Sequence, residues 1–187
     1  MAEIKASYYK LDALLVEEDF FASQVHAFRH EFGEANDFET EISSTLIWPI
    51  LISDTEQSYF KDNMLETWDD FALEGIGVKI KGLEVEKFLG NFIISASVEF
   101  DESFLFCLEA IESVFNQHRR SKEVRVEKCL HKIEIVKISV QEYSSSIIDR
   151  ASQFFVLPSN AQLSELVLRK KLNNHGWQNS ISLMNQL

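Results

Sequence analysis

Hydrophobic and polar positions divide the chain into a first part of mixed period and a longer part where apolar residues recur at three and four. In Tyr8-Tyr9-Lys10-Leu11-Asp12-Ala13-Leu14-Leu15, the spacing of Leu11, Leu14 and Leu15 predicts a short helical turn with one apolar face. That face serves either as a core-facing N-terminal segment or as a docking opener. From Ser23 to Glu41 apolar and charged residues mix, and Val25-His26-Ala27-Phe28-Arg29-His30-Glu31-Phe32 fits period two at least as well as 3.6, which predicts a small β-rich region. Gly33 to Asp37 supplies turn residues, and the β-branched run Thr45 to Ile52 contains Pro49, as an edge strand or a chain transition does.

Helices are predicted beyond this point. Asp54 with Gln57 reads as a helix start, and the helix should run to near Gly75 with Phe60, Met64, Leu65, Trp68, Phe71 and Ala72 on one side. Asp62, Glu66, Asp69 and Asp70 occupy much of its other face. Leu83, Val85, Phe88, Leu89, Phe92, Ile93 and Ala96 predict a second, strongly apolar helix. Asp101 is placed to cap a third, carrying Phe104, Leu105, Leu108, Ile111, Val114 and Phe115 and closing at Gln117-His118-Arg119-Arg120, where cations suit a helix C-terminus. Arg125 to about Phe154 contains neither Gly nor Pro and reads as one long helix. Ser159 and Gln162 form a capping box for a last helix over 161–172, and Trp177, Ile181, Leu183 and Met184 are left to fray or to dock. The expected fold is α+β and predominantly α. A small β-rich domain over 1–54 precedes an antiparallel helical bundle over 55–153, with a C-terminal extension over 154–187.

Composition adjusts this picture. With 187 residues, 45% hydrophobic and fifteen Phe, the chain can bury a core without disulfide or metal. No apolar run is long enough to span a bilayer, and the N-terminus does not read as a signal peptide. Cys107 and Cys129 lack CxxC spacing and read as reduced thiols of a cytosolic or nuclear protein. Charge is uneven: residues 1–75 hold four Lys or Arg against seventeen Asp or Glu, net −13, whereas the rest carries fourteen against thirteen, net +1. Such an acidic part disfavours phosphate binding and suits a basic protein partner.

Candidate chemistry is sparse. The three glycines Gly75, Gly77 and Gly82 match neither phosphate-binding glycine motif. Glu123, Glu127, Glu134 and Glu142 interleave with Arg125, Lys128, Lys132 and Lys137, as on a solvated mixed-charge face and unlike a nucleic-acid stripe. His26 and His30 stand four apart beside Glu31, but Ala27 occupies the position a zinc-protease motif gives to Glu. Ser144-Ser145-Ser146 has no glycine elbow, and both cysteines sit in apolar contexts that blunt thiolate chemistry. No catalytic set emerges, and no cofactor or metal is expected.

The Tyr8-to-Leu15 opener, the apolar segment around Trp48 and the predicted helical bundle, with Leu83 to Phe92 and Leu130-His131-Lys132-Ile133-Glu134, resemble the GINS complex family, in particular its third PSF subunit. The chain reads Leu46-Ile47-Trp48-Pro49 where that family has a Leu-Pro-Leu-Trp-type segment. The resemblance implies a non-catalytic, nuclear subunit of a heterotetramer with three sister subunits. These would join the MCM ring and its activator in the CMG helicase and reach the replicative polymerases indirectly. It implies no sequence-specific nucleic-acid contact and no membrane. Tyr8, Tyr9, Leu11, Asp12, Leu14, Leu15, Trp48, Phe88, Phe92, Phe104 and Phe115 are the expected interface residues. The alternative is a self-sufficient helical adaptor that binds through its acidic N-terminal part.

Overall fold

The structure is a computed structural model that describes residues 5–17, 19–32, 41–71, 73, 75–120, 132–139, 145–172 and 176–184. Its element order is β1 (Ala6–Leu15), α1 (Phe20–Phe32), β2 (Ser43–Ser53), α2 (Gln57–Asp69), β3 (Ile76–Phe88), β4 (Asn91–Phe100), α3 (Glu102–His118), β5 (Lys132–Ser139), α4 (Ser145–Phe154), β6 (Ser159–Leu172) and β7 (Gly176–Ser182). Strands take up 49% of the described residues and helices 35%. The expectation of a predominantly α fold with a helical bundle is therefore corrected: this is mainly a β protein, built on one seven-stranded antiparallel sheet.

The strand order β2-β1-β6-β3-β4-β5, with β7 beside β6, puts a C-terminal strand at the centre. β6 pairs with β1 through residues 163–170 and with β3 through 159–163. The two ends of the path approach each other where Ser44 Oγ donates to the Lys132 carbonyl at 2.8 Å. Tyr9, Leu11 and Ala13 of β1 are fully buried on one face, and the alternation of a strand turns Tyr8, Lys10 and Asp12 to the other.

Five local readings change, each for a physical reason. The Tyr8-to-Leu15 opener is a strand, because its residues pair on both sides, with β2 and with β6. The stretch after Asp19 is helix α1, whose buried Phe21, Ala22, Val25, Phe28 and Arg29 follow the helical period. Its signal was hidden because a buried position is charged: Arg29 Nε donates to the Ile135 carbonyl at 2.6 Å. The apolar run from Leu83 to Ala96 is the hairpin β3–β4, where Ile94, Ala96, Val98 and Phe100 are the buried, alternating set. The long helix expected from Arg125 is β5 followed by α4, with 121–131 and 140–144, and so Cys129, His131 and Ser144, outside the described residues. The last expected helix is β6, and the tail carrying Trp177 and Ile181 is β7.

Two helices stand where they are expected. α2 buries Phe60, Met64 and Trp68, but its N-cap is Glu56 in place of the expected Asp54, and it ends at Asp69, short of Gly75. α3 starts at the expected Asp101, whose carboxylate accepts the Phe104 N–H at 2.8 Å. The Phe60 ring meets Tyr9 edge-on at 5.4 Å and Phe115 at 5.1 Å, which ties α2 both to the sheet and to α3. Each such aromatic pair adds about 0.5–1.5 kcal/mol beyond the area it buries. α1 and α4 meet through Phe28, Phe154 and Phe155, and Gln24 Nε2 donates to the Phe154 carbonyl at 2.8 Å.

Candidate functional site

Three regions combine polar side chains with shape. The first is a charge network on the face of β1 away from α2. Asp12, with no exposed surface, lies 2.6 Å from Lys10 Nζ and 3.2 Å from Arg169 Nε, and accepts from Thr45 Oγ1 at 2.8 Å. Arg169 also pairs with Glu41. Two cations against two carboxylates leave no net charge, and Asp12 of β1 is tied to β6 through Arg169 and to β2 through Thr45. This is the chemistry of a sheet clasp.

The second region is an open cleft of about 520 Å³ at the ends of β3, β4 and β6, lined among others by Asp19, Gly77, Lys79, Glu99, Asp101 and Gln162. Its carboxylates are engaged. Asp19 accepts the Gln162 N–H at 2.6 Å, Asp101 caps α3, and Glu99 pairs with Lys81 at 2.5 Å. That pairing, mainly the hydrogen bond from Lys81, holds the Glu99 carboxyl below the usual range.

The third region is the groove between α2 and α3. The helices run antiparallel, since Tyr59 and Asn63 at the start of α2 meet His118 at the end of α3, at 5.2 Å between rings and 3.0 Å from Asn63 Nδ2 to His118 Nε2. From α2 and its exit, Asn63, Glu66, Thr67, Asp70 and Phe71 line the groove; α3 supplies Ala110, Ser113, Val114 and Gln117, around about 460 Å³. Val114 is buried and Phe71 half-buried, and with Ala110 they are the apolar part of a lining that is otherwise polar, with an acidic rim on the α2 side. Asp62, Glu66, Asp69 and Asp70 are exposed and form no ion pair among the described residues. Tyr59 and Phe106 are 65% and 64% exposed, unusual for aromatics on packed helices.

The expected interface residues are scattered over this frame. Tyr9, Leu11, Leu14, Leu15, Phe104 and Phe115 are buried, and Asp12 is buried in the clasp. Tyr8 and Trp48 are exposed on β1 and β2. Phe92 is half-buried on β4 with Lys87 Nζ 5.8 Å from its ring, and Phe88 ends β3. Tyr9 and Phe115 are brought together through Phe60; the set does not form one surface. His26 and His30 lie on α1, and among the described residues no three His, Cys, Asp or Glu gather as metal ligands. Cys107 is buried, and desolvation pushes its thiol up to about 12. The groove-lining Ala110, Ser113 and Gln117 were missed. The acidic face of α2 was legible, but nothing in local spacing says which helix packs beside it.

No protein-family model matches the sequence, and no curated protein matches it. Among solved structures, the chain is similar to Usb1 of Kluyveromyces marxianus, with a TM-score of 0.53 and 9% identity, covering 92% of this chain and 96% of that one. At that identity the likeness is one of fold. Together with the mainly β architecture it overturns the resemblance to GINS, and with it the role as a GINS subunit of the replicative helicase. Of the apolar patches behind that resemblance, Tyr8 to Leu15 lies in a strand, Leu83 to Phe92 spans a strand hairpin, and the described part of the last, Lys132 to Glu134, lies in β5.

Proposed function

We propose that this chain is a non-catalytic recognition protein that binds a basic polypeptide through the acidic α2–α3 face. The observation that carries this is a groove between two helices rimmed by exposed carboxylates that form no ion pair among the described residues. The other acidic clusters are spent on structure: Asp12 on the sheet clasp, Asp101 on a helix cap, Glu99 on Lys81, and Glu84 and Glu86 on Lys132. Free carboxylates on a rigid helix pair steer a cationic partner and select it by charge. The net charge of −12 for the whole chain acts in the same direction.

Fluorescence anisotropy with labelled Lys/Arg-rich peptides tests this reading. Saturable binding is expected, weakening several-fold between about 50 and about 300 mM salt as the charges are screened. It should be lost in the fourfold variant Asp62→Asn, Glu66→Gln, Asp69→Asn, Asp70→Asn, which keeps size and polarity. Equal binding by that variant, or equal binding of acidic peptides, defeats the proposal.

A further inference from the structure

The acidic groove has a shape as well as a charge, and the shape narrows the partner. Asp62, Glu66 and Asp70 stand at intervals of four along α2, so like charges face one another on successive turns. Such a row opposes helix formation, and no ion pair to it exists among the described residues. Across from it the α3 wall carries Ala110 and Ser113, small side chains that let another backbone come close. Phe106 stands one turn before Ala110 on the same stripe of α3, and Tyr59 one turn before Asn63 on α2. Because the helices are antiparallel, these two exposed aromatics mark opposite ends of the groove. From Phe106 to Gln117 the groove is about 16 Å long at the helical rise, room for about three turns of a third helix.

We infer that the groove receives an amphipathic basic helix from the partner, laid along α2 and α3 as the third member of a three-helix contact. Its small apolar stripe rests on Ala110, Val114 and Phe71, and its Lys or Arg residues, three or four apart, meet the Asp62–Glu66–Asp70 row. Tyr59 and Phe106 close over its ends. Helices fill the furrow between two packed helices through regular ridge-and-groove contacts, whereas an extended chain, with side chains on alternate sides, matches a spacing of four poorly. A second copy of this acidic chain is opposed by its own charge.

This inference rests on the proposed recognition of basic partners, and the test separates the two. Three peptides of equal length and charge are compared: one with Lys at intervals of four and an Ala/Leu stripe, one scrambled from it, and one with two central residues of the apolar stripe replaced by proline. Anisotropy reports affinity and circular dichroism reports peptide helicity on binding. The patterned peptide is expected to become helical and to bind about tenfold more tightly than the other two. Tyr59→Ala and Phe106→Ala are each expected to weaken it about tenfold, with unchanged binding of the scrambled peptide. If all three peptides bind alike, remain non-helical and ignore both aromatic variants, the helix inference is overturned, while loss of that binding in the fourfold carboxylate variant leaves the recognition of basic partners standing. If no basic peptide binds, both fall.

Discussion

Two buried groups at the residue scale govern how the fold meets alkali. Burial, and secondarily the charge of Asp54, pushes the Tyr9 hydroxyl from its ordinary 10.0 to about 12, and burial alone takes Cys107 from 9.0 to about 12. Both groups stay protonated in the folded chain at a pH where the unfolded chain has released the proton. The unfolded state then binds fewer protons, so stability is intact below pH 9 and falls through the window from about 9 to about 12. The slope is about 1.4 kcal/mol per pH unit for each titrating group. Tyr9→Phe removes one of them. The Tyr9 hydroxyl is buried without a hydrogen-bond partner among the described residues, so the variant should be at least as stable as the parent at pH 8, and its advantage should grow above pH 10. Urea unfolding between pH 8 and 11 checks this, and parallel curves for parent and variant would refute it. Asp12 shows the opposite kind of burial. A carboxylate expected from the sequence to be an interface residue is the hub of three strands, because it meets Lys10 of its own β1, Arg169 of β6 and Thr45 of β2.

Among the elements, the β3–β4 hairpin has a turn whose residues do not suit it equally. Leu89 and Gly90 form the two-residue connection, Phe88 pairing with Asn91, and both have positive φ, 46° and 80°. Gly accepts that conformation freely, whereas a leucine in it is strained by about 1–2 kcal/mol. Leu89 is also 84% exposed, so its side chain gains little in return. Leu89→Asn supplies the residue that two-residue hairpins favour before Gly and is expected to raise stability by about 1 kcal/mol, read as a rise in the thermal midpoint; a lower midpoint would contradict the strain assigned to Leu89. The same hairpin explains how the helical reading arose. Leu83, Val85, Phe88, Leu89, Phe92, Ile93 and Ala96 fit spacings of three and four only when the two arms are read as one continuous stretch, and the Leu89-Gly90 pair that separates them was missed. β6 misled for a different reason: Ala161, Leu163, Leu166 and Leu168 are buried, but a register shift between Leu14 and Leu15 on β1 changes their phase halfway along. Its Leu, Glu, Gln and Lys content favours a helix, and pairing with β1, β3 and β7 overrides that preference. α2 and α3 were legible because each packs one continuous apolar stripe and α3 begins at a true cap.

At the scale of the whole molecule, the decisive fact is the position of the chain's C-terminal segment. Sequence reading divides the protein into 1–54, 55–153 and 154–187, yet the single sheet takes β1 and β2 from the first segment, β3 to β5 from the second and β6 and β7 from the third. Such long-range pairing leaves no local periodicity to read, which is why α2 and α3 are recognisable in the sequence and the architecture is not. The acidity of residues 1–75 is visible in the sequence, but its use is not: the clasp and the groove differ in what lies opposite each carboxylate. β6 stands between β1 and β3 and supplies Leu163, Leu166 and Leu168 to the main core. Removing it exposes the inner edges of both neighbours and takes out three buried leucines, each worth about 2–5 kcal/mol when cut to alanine. That loss is comparable to the whole stability of a domain this size. A chain ending at residue 157 should therefore show no cooperative thermal transition, while the full chain should give one transition seen alike by far-ultraviolet circular dichroism and by tryptophan fluorescence, with Trp48 and Trp68 in the first two segments and Trp177 in the third. Two separated transitions in the full chain, or a cooperative melt of the truncated one, would mean that β6 docks onto an already stable unit and does not complete it.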